Sequence, residues 1–219
     1  IFLKQYFKQM ETIGIRSTPV VMLTGLFTGM VSALQTYHGF SLFGAESLVG
    51  STTALGLLRE LGPVLGALMV TARAGSAMTA EIGIMQVTQQ VDALVVMGVN
   101  PYKYLILPRI VSSLVMMPML TLIFDAIGMI GSYIVGTILL GIDTGVFMAR
   151  IVEYVSYEDL FSGLVKGCVF GGILSLVCCF KGYSTSGGAE GVGRSATQSV
   201  VISSVSILLA DYILTAIMF

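Results

Sequence analysis

The chain has 219 residues, 55% of them hydrophobic and only 11% charged, with a net charge of -1 and a mean hydropathy of +0.93. That composition leaves too little polar surface to cover a water-soluble globule, so the chain reads as an integral membrane protein. Its apolar runs are continuous over many turns instead of alternating in short segments of about ten residues, which excludes a transmembrane barrel and leaves an all-α fold.

The chain opens at IFLKQYFKQMETIGI, where apolar residues recur at roughly helical spacing beside Lys4 and Lys8. Residues 1–18 are expected to be the remnant of an interfacial helix, and no signal peptide is recognisable. A spanning helix needs roughly 20 mainly apolar residues, and five segments qualify: about Pro19 to Tyr37, Thr53 to Ala72, Ile110 to Leu140, Leu160 to Phe180 and Val200 to Phe219. In the second span Pro63 frees a backbone carbonyl one turn earlier, beside Arg59 and Glu60. Pro118 marks a bend in the third span, which is longer than a bilayer requires.

Between the second and third spans lies ARAGSAMTAEIGIMQVTQQVDALVVMGVNP, ending at Pro101. Charge is scarce elsewhere, yet this stretch gathers Arg73, Glu81, Gln86, Gln89, Gln90 and Asp92. The amphipathic segment 73–101 is expected to lie at the membrane surface as a docking element. Lys4, Lys8, Arg16, Arg73, Lys103, Arg109, Lys181 and Arg194 fall on one side of a five-span path, whereas the opposite connections hold only Arg150. By the positive-inside rule the first side is cytoplasmic, and the carboxyl terminus lies outside.

Small residues recur four apart at Gly25 and Gly29, Gly62 and Gly66, and Gly163, Gly167 and Gly171, a pattern for close helix approach. With no long linker and no internal repeat, residues 1–219 form one domain, which argues against an inverted-repeat transporter. Cys168, Cys178 and Cys179 share the fourth span and read as packing residues; no converging ligand set for a metal appears. Gly188, Gly193, Arg194 and Ser195 mimic a phosphate-binding loop, but arginine replaces the lysine and no strand precedes them, so they are expected in a cytoplasmic loop. No hydrolytic Ser, His and Asp arrangement is found, so energy for any pumping must come from another subunit.

An ionised group in hydrocarbon costs on the order of 3 kcal/mol unless paired or hydrated, which singles out Arg59, Glu60, Asp125, Lys166 and Asp211. Counted from the outer ends of their spans, Glu60, Lys166 and Asp211 lie about 9 to 15 Å deep and can meet with Arg59 in one cluster. That cluster is open to three readings: a structural network, a polar wall near a lipid headgroup, or an ion-coupling site. Asp125 has no partner at its depth.

The segment LLRELGPVLGALMVTARAGSAMTAEIGIMQVTQQVDALVVMGVNP, Leu57 to Pro101, resembles the signature of MlaE-type permeases, the membrane subunits of MCE-associated ABC transporters. The similarity continues through GLVKG, FKGY and LADYILTAIMF and so covers nearly the whole chain. The resemblance implies five transmembrane helices with an interfacial helix, longer in relatives, and a cytoplasmic coupling helix. It further implies a homodimer, two copies of a cytoplasmic ATPase that binds ATP and magnesium, a periplasmic hexameric MCE-domain protein and a STAS-domain accessory protein. The cargo would be phospholipid, moved between the inner membrane and the MCE-domain protein to maintain outer-membrane lipid asymmetry; neither a nucleic-acid partner nor a cofactor in this chain is expected.

Carried over residue by residue, the resemblance assigns Arg73, Glu81, Gln90 and Asp92 to ATPase coupling and Arg59, Glu60, Lys166 and Asp211 to the intramembrane cluster. Asp125 departs from members with an apolar residue there. Leu34, Tyr37, Leu48 and Leu55 are positional candidates for acyl-chain contact. Two other classes remain open at this point: a secondary transporter coupled through Glu60 and Asp211, and a noncatalytic scaffold.

Overall fold

A computed structural model describes residues Phe2–Met218, with the side chains of residues 2–4 outside the description. Lys4, counted above toward the topology, is among those side chains. Helix α1 (Phe2–Met10) passes through a widened turn into α2 (Thr18–Ser41). Next comes a rod built from α3 (Val49–Gly56), α4 (Gly62–Val70) and α5 (Ser76–Val87), with π-helical turns at Leu57–Leu61 and Thr71–Gly75 between them. The short α6 (Gln90–Val96) leads to α7 (Leu107–Tyr133), α8 (Thr144–Tyr154), α9 (Tyr157–Tyr183) and α10 (Gly188–Met218). Among the described residues, five helical stretches are long and apolar enough to cross a membrane: Gln5–Ser41, Glu46–Val87, Tyr102–Leu139, Tyr157–Tyr183 and Gly188–Met218. The protein is an all-α integral membrane protein.

Helix α9 is the hub, packing on α7, α10, α5 and α4. Around it Phe170, Leu174, Met117, Leu120, Phe124, Val70 and Ile207 form a buried core. Lipid tails are as apolar as leucine, so close backbone approach must supply the specificity that the hydrophobic effect supplies in water. The glycine stripes do this. A side chain on Gly25 would meet the Phe124 carbonyl at 2.8 Å, and one on Gly29 would run into the Gly128 carbonyl, so α2 and α7 cross nearly backbone to backbone. On α9, Gly171 faces the Ser113 carbonyl at 2.6 Å in the same way.

Three boundaries differ from the sequence reading. The second span does not stop at Ala72: helix continues to Val87, and Met78, Thr79, Ile82 and Gly83 are buried against α9 and α10. The first half of segment 73–101 is therefore bundle core, and only its second half stands clear. The expected cytoplasmic loop at Gly188 to Ser195 is the first two turns of α10, since Val192 and Ser199 are buried and α10 packs along α5. Tertiary packing there overrides a glycine-rich, polar sequence. Helix α8, unforeseen in the connection after Leu140, starts where Asp143 accepts a bond from the Val146 amide and buries Phe147 beneath Gly50 and Gly136.

Prolines open the backbone ladder in two spans, and α9 closes both gaps. Pro63 leaves the Arg59 carbonyl without its α-helical donor, and Lys166 Nζ donates to that oxygen at 3.0 Å. Pro118 does the same to the Leu114 carbonyl, which accepts from Cys168 Sγ at 3.2 Å. Cys168 is thus more than a packing residue.

Gly29→Ala is expected to lower unfolding free energy by about 1 to 3 kcal/mol through overpacking at the α2–α7 crossing. Gly39→Ala, on the same helix with open space around it, is the control, and thermal unfolding in detergent compares the two.

Candidate functional site

Four oxygens surround the Lys166 ammonium, which is fully buried. Its three protons reach Arg59 O at 3.0 Å, Glu60 Oε2 at 2.8 Å and Thr215 Oγ1 at 2.7 Å. Asp211 Oδ1 lies 3.0 Å away as an ion contact without a hydrogen bond, because an ammonium has no fourth proton to give. Thr215 passes its own proton on to Glu60 Oε1 at 3.1 Å. Three spans therefore converge on one nitrogen.

The local sequence explains how a lysine reaches that depth. Gly163 and Gly167 flank it on α9, and their missing side chains let α9 approach the Leu58 carbonyl and Thr121 Oγ1. The π-helical turn Leu57–Leu61 carries both Arg59 and Glu60, and the extra residue in that turn swings them toward α9 and the outer end. Arg59 Nε donates to Asp159 Oδ1 at 2.6 Å. Asp159 is buried and also accepts from the Ser156 amide and hydroxyl, in a capping box that starts α9. Beside Arg59 opens a cavity of about 590 Å³, lined by Tyr157, Phe161 and Met218 among others.

Of the sequence candidates, the structure joins Glu60, Lys166 and Asp211 directly and Arg59 through its carbonyl. Asp159 and Thr215 were missed. Thr215 sits four residues after Asp211, one helical turn on, which is a legible signal; Asp159 looked like an ordinary outer-loop acid. With Asp159 included, three carboxylates face two cations, so the set is not the balanced network that four residues suggest. Asp125 is buried, and its Oδ1, packed against Gly62, has no hydrogen-bond partner among the described residues.

At the other end of the bundle Arg73 Nη1 donates to the Thr12 carbonyl at 2.6 Å and lies 3.2 Å from Ser17 Oγ, strapping the second span to the segment after α1. Glu81 is half exposed, and its Oε2 accepts from the buried Arg109 at 2.9 Å. Gln90 and Asp92 are exposed on α6. Gln89, with φ 58, turns the chain between α5 and α6, and the carboxyl end of α6 exposes Val95 and Val96, with Met97 just beyond it, at 57%, 88% and 67%. Leu34 and Tyr37 on α2, Leu48 before α3, and Leu55 on α3 are all half-buried.

Lys166→Met is expected to cost about 3 kcal/mol or more, because it strands two carboxylates and the Arg59 carbonyl. Adding Glu60→Gln and Asp211→Asn should recover most of that loss, as read by thermal unfolding in detergent.

The family model described as Permease MlaE matches residues 6–217. A probable ABC transporter permease protein of Rickettsia conorii is 44% identical over the whole chain and 85% of its own length. The intermembrane phospholipid transport system permease protein MlaE of Haemophilus influenzae is 42% identical over 97% of the chain and 82% of its own length. The chloroplastic protein TRIGALACTOSYLDIACYLGLYCEROL 1 of Arabidopsis thaliana is 39% identical over 97% of the chain and 61% of its own length. A match that runs through the π-helical turn, the exposed α6 and the Lys166 cluster alike leaves one conclusion: the chain belongs to the MlaE permease family of ABC transporters.

Proposed function

We infer that this permease moves phospholipid between the inner membrane and a periplasmic MCE-domain protein, driven by a separate cytoplasmic ATPase, and so maintains outer-membrane lipid asymmetry. The observation that carries this is the 42% identity, over 97% of the chain, to a permease named for intermembrane phospholipid transport. The geometry supports it. Basic residues gather at the end that holds Arg73, Lys103, Arg109 and Lys181, which favours a cytoplasmic amino terminus and a periplasmic carboxyl terminus.

The exposed apolar ridge of α6, with Gln90 and Asp92 at its base, suits a helix seated in a groove of the ATPase, two copies of which would bind ATP and magnesium and serve a permease dimer. Glu81 and Arg73 then transmit the push: Glu81 through Arg109 to the third span, Arg73 to the segment after α1. For the second copy of the chain, α10 offers the surface, since only 11% of its most apolar stretch is buried and it exposes Val205, Leu208, Leu209 and Tyr212. The cavity beside Arg59 would receive the phosphate end of a lipid, and Leu34, Tyr37, Leu48 and Leu55, which lie outside its lining, would be met by the acyl chains. A STAS-domain protein would bind the ATPase and not this chain.

The test is transfer of headgroup-labelled lipid between proteoliposomes holding permease and ATPase and the soluble MCE partner. Transfer is expected with ATP and not with a nonhydrolysable analogue. Val96→Asp, at a position 88% exposed, is expected to reduce transfer by at least about tenfold while insertion and unfolding temperature stay unchanged. Transfer that ignores ATP and follows a proton gradient would make Glu60 and Asp211 an ion-coupling site instead.

A further inference from the structure

A second polar cavity, of about 430 Å³, lies at the basic end, walled by α1, α5 and the start of the third span. On the helical rod that carries both Arg59 and Glu81, 22 residues separate this end from the outer cluster, or about 33 Å at 1.5 Å per residue. It is thus a different site from the one assigned to the cargo. Its level is that of lipid headgroups: α1 is amphipathic, and Ser112 of α7 donates to the Tyr6 carbonyl at 3.2 Å.

The walls carry complementary charge. Lys8 is exposed at the mouth and has no ion-pair partner among the described residues. Arg109 is 5% exposed, and although its two terminal nitrogens are bonded to Leu105 O and Glu81 Oε2, its Nε has no partner. Glu81 commits only Oε2 to Arg109 and leaves Oε1 to the half-exposed side of the site. Gln5 Oε1 and Gln9 Oε1 are also buried in the wall without partners. Buried polar atoms left unbonded cost about 1 to 3 kcal/mol each, so Arg109 Nε, Gln5 Oε1 and Gln9 Oε1, with the exposed Lys8 and half-exposed Glu81 beside them, describe a site suited to a polar occupant. Beyond them the wall turns aliphatic, with Ile84, Met85 and Leu105.

A phosphate matches Lys8 and the edge of Arg109, and an ammonium matches the free oxygen of Glu81 and the glutamine carbonyls. An aliphatic surface beside such a pair suits a glycerol backbone. We propose that this cavity binds the headgroup of an amine-bearing zwitterionic phospholipid from the adjacent leaflet, held between α1 and the base of the coupling segment. The bound lipid is a fixed ligand, not cargo, and it ties the position of α5 to the membrane surface.

The experiment uses the full-length permease with its ATPase in nanodiscs, with benzoylphenylalanine in place of Tyr104, which lines the cavity. Irradiation in discs of phosphatidylethanolamine and phosphatidylglycerol should give a phosphatidylethanolamine adduct. Lys8→Ala should lower its yield by about tenfold, the loss of one charge-assisted hydrogen bond. Glu81→Gln should shift the adduct toward phosphatidylglycerol.

The same probe at Phe7, 64% exposed, samples bulk lipid and should not respond to Lys8→Ala. A parallel loss at both positions would mean that α1 has moved, and the proposal then stands only if Glu81→Gln alone alters the Tyr104 adduct. Equal adducts from the two lipids, an adduct with the ATPase, or loss of the adduct on adding millimolar water-soluble glycerophosphoethanolamine would each overturn it. ATP-driven transfer is not read here, so failure of this site leaves the permease reading standing.

Discussion

The half of the bundle away from the basic end hangs on one buried ammonium. Lys166 has exchanged its water shell for a carbonyl, a hydroxyl and two carboxylates drawn from the second and fifth spans, and in hydrocarbon nothing else is available to replace them. That requirement dictates the surroundings: glycines on either side of the lysine so that α9 can come close, a π-helical turn to present Glu60, and a threonine one turn after Asp211 to complete the shell. The interaction fixes the register of three helices at once. Non-directional apolar packing cannot do this between surfaces that lipid wets equally well.

The two ends of the molecule solve different problems with similar parts. At the end opposite the basic residues, the partly exposed Arg59 is held by the buried Asp159 beside an open cavity, so its charge is positioned without being loose. At the basic end, Arg109 and Glu81 link the third span to the second, and Arg73 links the second to the chain after α1. The second span is thus tied at this end to both the third span and the segment after α1 by an ion pair and a hydrogen bond.

Much of this was legible in the sequence, for reasons that can be named. The five spans followed from continuous apolar runs, and the depth match of Glu60, Lys166 and Asp211 followed from the fixed rise of a helix. Glycine spacing marked α2 for close helix approach, but its partner, α7, became visible only in the structure. What was illegible depended on tertiary partners. Met78, Thr79 and Ile82 read as a surface helix because they lie among Arg73, Glu81, Gln86 and Asp92, yet α9 and α10 cover them. The polar start of α10 read as a loop because nothing local rewards helix in a run containing three glycines; its packing along α5 does. Asp159 acquired its role only when Arg59 was brought across from 100 residues away.

The prolines of the second and third spans are answered by residues only two apart on α9, Lys166 and Cys168. Two residues on a helix point to nearly opposite sides, so α9 works like a key held between two locks, its teeth cut for both. Turning it withdraws both donors together and exposes two carbonyls in the same movement. A rotation of α9 about its own axis therefore acts on the proline breaks of two spans in one event.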